Sequence, residues 1–78
     1  MSQNAERLLF AIYDEYVNHP NKIPSIYLTH EPTCLLQADI EPTINELINK
    51  GFVSIQSKQG QDYYTFKLEN AFKRMFSL

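Results

Sequence analysis

A single cysteine, Cys34, stands among the 78 residues, so no disulfide can form within the chain. With His19 and His30 as its only soft companions, it makes too small a ligand set for structural zinc, and neither metal nor cofactor is expected. Glycine is nearly as scarce. Gly51 and Gly60 are the two in the chain, which leaves no glycine-rich loop to cradle phosphates. Tryptophan is absent, and no apolar run approaches the roughly 20 residues of a membrane span. The opening residues, MSQNAERLL, lack the basic start and apolar stretch of a secretory signal. No nucleophile–base–orienter set or paired-carboxylate motif is visible, so the chain is not expected to be an enzyme. Positive charge is not in excess either: seven Lys and Arg against nine Asp and Glu give a net charge of −2, the opposite of a uniformly basic nucleic-acid binder. These absences lead to the expectation of a soluble, cytoplasmic protein with no membrane attachment.

What the chain does have is apolar surface. Hydrophobic residues make up 44% and aromatic residues 13%, a composition that folds rather than stays disordered. Residues 1–78 suit one domain. A core of this size rarely supplies more than about 3–5 kcal/mol, which makes a second subunit a natural supplement.

From residue 5, Ala5, Leu8, Leu9, Ile12, Tyr13, Tyr16 and Val17 recur at offsets of three and four, predicting a helix capped by Ser2 or Asn4 and stopped before Pro20. Ser25-Ile26-Tyr27-Leu28 reads as a short strand. Thr29 is expected to cap a turn or two of helix through Pro32 and Cys34-Leu35-Leu36. Asp39 then reads as the N-cap of a clearer helix whose buried stripe is Ile40, Ile44, Leu47 and Ile48, ended by Gly51. Its outward face is expected to carry Glu41, Thr43, Asn45, Glu46, Asn49 and Lys50. The period then changes to two in Phe52–Gln56 and Tyr63–Leu68, joined by a polar, glycine-bearing loop, which predicts a β-hairpin. Val53, Ile55, Tyr64, Phe66 and Leu68 are expected on its core face, and Tyr63, Thr65 and Lys67 on the other. Residues 69–77 return to helical spacing with Ala71, Phe72, Met75 and Phe76.

This order, with Ile40-x3-Ile44-x2-Leu47-Ile48-x2-Gly51-Phe52-Val53 followed by the Lys58/Gly60 hairpin, resembles a winged helix-turn-helix domain of the small bacterial, plasmid or phage regulator type. The resemblance covers about Ala5 to Leu68. It implies an α+β winged helix: a three-helix core, a two-stranded β-hairpin wing and, here, an added C-terminal helix. It also implies double-stranded DNA as partner and a role in transcription or replication control. The DNA-contacting residues would be Thr43, Asn45, Glu46, Asn49 and Lys50 on the recognition helix, and Lys58, Gln59, Gln61 and Lys67 on the wing. The chain departs from the family early in that helix, where Glu41 and Pro42 stand in place of the usual Ser, Thr, Arg or Gln.

Charge by region sharpens this departure. Residues 1–30 carry −1, residues 31–50 carry −3 and residues 51–78 carry +2. Carboxylates repel phosphates, although Asp39 and Glu41 also suit a helix N-terminus. A protein–protein interaction module with an acidic docking helix is the alternative reading. Phe10, Tyr13, Phe72, Met75 and Phe76 exceed what one small core needs, and they are expected to form the interface of a homodimer.

Overall fold

In a computed structural model, which describes residues 1–78, Ser2 opens the first helix: its Oγ accepts a hydrogen bond from the Ala5 N–H at 3.0 Å and caps α1 (Gln3–Asn18). The helix buries Ala5, Leu8, Leu9, Ala11 and Ile12. The stripe fades toward its end, where Tyr16 is half-buried and Val17 exposed. The chain then enters β1 (Ser25–Tyr27), only three residues long.

The helix expected over residues 29–36 is absent; turns replace it. One helix-type backbone bond forms, from the Cys34 N–H to the His30 carbonyl at 2.8 Å, and side-chain bonds add to it. Thr29 spends its hydroxyl on the Asp62 carboxylate. Thr33, completely buried, lies within donating distance of two carbonyls, 3.2 Å from that of His30 and 3.4 Å from that of Tyr27. Cys34 adopts a left-handed φ of 49°, and Leu35 donates its N–H back to the Leu28 carbonyl. Cys34 is an exposed free thiol. A 3-10 turn, Gln37–Asp39, leads into α2 (Ile40–Asn49). Asp39 is therefore already in the right-handed helical region and makes no capping bond, contrary to its expected role.

The far end of α2 closes as its glycine predicts. Gly51, at φ 76°, donates to the Ile48 carbonyl, and Phe52 donates to that of Leu47, the paired bonds of a Schellman motif. The hairpin follows as β2 (Val53–Gln59) and β3 (Tyr63–Leu68), and α3 (Asn70–Met75) ends the chain. The strands form one antiparallel sheet in the order β1-β3-β2. Ile55 pairs with Phe66 but Ser57 pairs with Thr65, so Gln56 is an inserted bulge residue. Past the bulge Lys58 stands opposite Tyr64, the core-facing register, whereas without it Lys58 would stand opposite Tyr63.

Helices supply Leu8, Leu9, Ile12, Ile44 and Leu47 to the core, and the sheet supplies Ile26, Val53, Tyr64 and Phe66. Ile55 does not join them. It lies on the edge strand and is 46% exposed, although it shares the face of Val53. With no α-helix between β1 and α2, the core has one helix fewer than expected, and α3 contributes Phe72, which is fully buried. The result is an α+β domain of three α-helices and a three-stranded antiparallel sheet. No helix is long and apolar enough to cross a membrane.

Candidate nucleic-acid interface

The exposed side of α2 is set by its buried one. Ile40, Ile44 and Leu47 fix the inward stripe, and Asn45, Asn49 and Lys50 are left facing solvent. None of these three side chains makes a hydrogen bond or ion pair within the chain. Two residues expected beside them are otherwise engaged. Thr43 lies three residues from Ile40 and four from Leu47, so it shares their face and is 4% exposed. It is a core residue and not an outward reader. Glu46 accepts the Ser2 N–H at 2.8 Å, tying the start of α1 to the middle of α2. The bonds from Ser2, assisted by the positive N-terminus and Lys50, hold its carboxyl below the usual glutamate range.

The hairpin tip is similarly anchored. Gly60, at φ 65°, Gln61 and Asp62 form the loop. Gln37 Nε2 donates to the Gln61 carbonyl at 3.0 Å, and Leu28 donates its N–H to the Asp62 carbonyl at 2.8 Å. The tip thus lies against the segment that leads into α2. Lys58 reaches back over the Tyr64 ring, its Nζ 5.6 Å from the centroid, within cation–π range. Gln59 and the Gln61 side chain remain exposed.

Lys67 falls outside this group. It lines a cleft with Tyr16, Lys22 and Lys73, none of which belongs to α2 or to the hairpin tip. Tyr63, on the same sheet face, packs against Tyr27 with ring centroids 4.3 Å apart and the planes tilted by 42°. Arg74, by contrast, lies beside the end of α2, where it shares a groove of about 510 Å³ with Lys50, Ser54, Glu69 and Asn70. Lys50 and Arg74 stand 24 positions apart in the chain, and no local pattern in the sequence announces their approach.

The residues expected between two subunits have also separated. Phe72 is enclosed by its own chain. Phe76 stacks on Tyr13 at 4.2 Å and meets Phe10 edge-on at 5.8 Å, so α3 folds back onto α1. Phe10 and Met75 stay about half exposed, at 46% and 50%. No group of three or more His, Cys, Asp or Glu side chains gathers in metal-binding geometry.

No family model matches the chain, and neither a curated protein nor a solved structure matches it.

Proposed function

We propose that the protein is a winged-helix variant that binds double-stranded DNA as a homodimer and regulates transcription or replication. The observation that carries this reading is the unpartnered face of α2, with Asn45, Asn49 and Lys50 open to solvent and Arg74 alongside. Asn suits the edge of adenine, and Lys and Arg suit phosphate or guanine. The strand order β1-β3-β2 and the passage from α2 through Gly51 straight into a hairpin support the winged-helix assignment. On this reading, the turns of residues 29–36 stand where that plan has its second helix. In such a complex α2 would lie in the major groove while Lys58, Gln59 and Gln61 approach the backbone or minor groove. Half-exposed Phe10 and Met75 support a contact between two copies through α1 and α3.

Fluorescence anisotropy with a random-sequence duplex tests the reading. With Lys50, Lys58 and Arg74 as the contacting cations, log K should fall with log salt at a slope of roughly −3 per protomer, and Lys50→Ala should flatten it by about 1. Absence of binding at low salt would sink the proposal. The −3 charge on residues 31–50 then favours the second reading, a module that docks a basic protein partner.

A further inference from the structure

The brevity of β1 leaves part of β3 uncovered. β1 pairs with Tyr63, Tyr64 and Thr65, and β3 runs three residues further with no strand on that side. Phe66 donates its N–H to the Pro24 carbonyl at 2.9 Å. By the alternation of an antiparallel strand, the next N–H toward that open edge is Leu68's. A cleft of about 270 Å³ lies here, bounded by the end of α1, the approach to β1 and α3. Its floor is apolar: exposed Ile23 and half-buried Leu68 give it accessible surface, backed by buried Pro24 and Phe66. Lys22, Lys67 and Lys73 stand around it, joined by Tyr16.

Charge separates this cleft from the rest of the surface. The other four clefts each include at least one carboxylate: Glu15 with Glu31, Glu69, Asp39 with Glu46, and Glu15 again. This one has three ammonium groups and no acid, in a chain whose net charge is −2. Glu15, which lines a neighbouring cleft together with Lys22, faces His19 at 3.7 Å, and none of the three lysines is in an ion pair. Like charges gathered over a low-dielectric floor repel one another and focus positive potential outward. An anion relieves that repulsion, and an apolar body attached to it covers the floor.

We propose that the cleft framed by Lys22, Lys67 and Lys73 binds a small amphiphilic anion, a carboxylate or phosphate carried on a compact apolar body. The volume suits a medium acyl chain or a small ring system, smaller than most drug-sized ligands. This inference stands apart from DNA binding, since none of its lysines lies on α2 or the hairpin tip.

Amide chemical-shift titration of the intact protein with octanoate tests it, with 1-octanol and inorganic phosphate as parallel arms. Octanoate should shift Tyr16, Lys22, Lys67, Leu68 and Lys73, and bind at least about tenfold tighter than either control, because charge and apolar contact act together. Lys67→Ala with Lys73→Ala should weaken octanoate by about tenfold or more, while Lys58→Ala leaves it unchanged. Lys22→Ala, in a loop, repeats the test should the double variant lose its fold. Equal binding of octanol would reduce the site to a greasy surface, and equal binding of phosphate to a lysine cluster. Either result overturns the proposal, as would shifts confined to Phe10 and Met75.

Discussion

Thr33 and Thr43 are the buried polar side chains of the domain, and they serve opposite ends. Thr33 holds a loop shut through two backbone carbonyls, work that a hydrocarbon of the same shape cannot do. Thr33→Val should therefore cost about 1–2 kcal/mol, read as a lower urea midpoint with unchanged slope. Thr43 fills the inward stripe of α2; its place in the helix, rather than its polarity, decides its burial. Position counts more than residue type at Glu46 too, where the Ser2 bond lowers the carboxyl's pKa in the folded state. A depressed folded value means that the tie stabilises the protein when ionised. Its contribution is full above the unfolded pKa of about 4.3 and is lost as the pH falls through the lower folded value. Denaturation of wild type and Glu46→Gln should accordingly differ at neutral pH and converge under acid, whereas a constant gap would refute the tie.

Among the elements, those with a clear period were legible in the sequence. Leu8, Leu9 and Ile12 announce α1, Ile40, Ile44 and Leu47 announce α2, and the alternation of Tyr63 to Leu68 announces the sheet. The turns of residues 29–36 were not, because Thr33 bonds backbone carbonyls and Thr29 bonds the distant Asp62 carboxylate, and neither leaves a periodic trace. Gly51 was read correctly for a local reason, and it offers a clean test. A Cβ there would meet Ala71 Cβ at 3.8 Å, an ordinary contact, so crowding is not the obstacle. The positive φ is. Gly51→Ala should lower stability by about 1–2 kcal/mol without disturbing the spectrum of the core, and a loss of less than half that would show that the helix end tolerates a side chain.

At the scale of the molecule, contacts between distant segments decide the outcome, and these were the least legible. The gathering of Lys22, Lys67 and Lys73, the approach of Arg74 to Lys50 and the burial of Phe72 all join residues far apart in the chain or packed against another element. The pairing of α3 with α1 also narrows the surface through which two copies could meet. Phe10→Glu with Met75→Glu should convert a dimer to a monomer in sedimentation equilibrium while the fold survives, since both side chains are half exposed. A mass unchanged by both charges would exclude that face. The bulge at Gln56 bears on association of another kind. β2 is the longest strand and has a neighbour on one side only, so its free edge could template the addition of further chains without limit. The extra residue breaks that edge's repeat at its middle, and Lys58 sets a charge just beyond the break. A single inserted residue thus interrupts the even ladder that a further strand would need in order to add there.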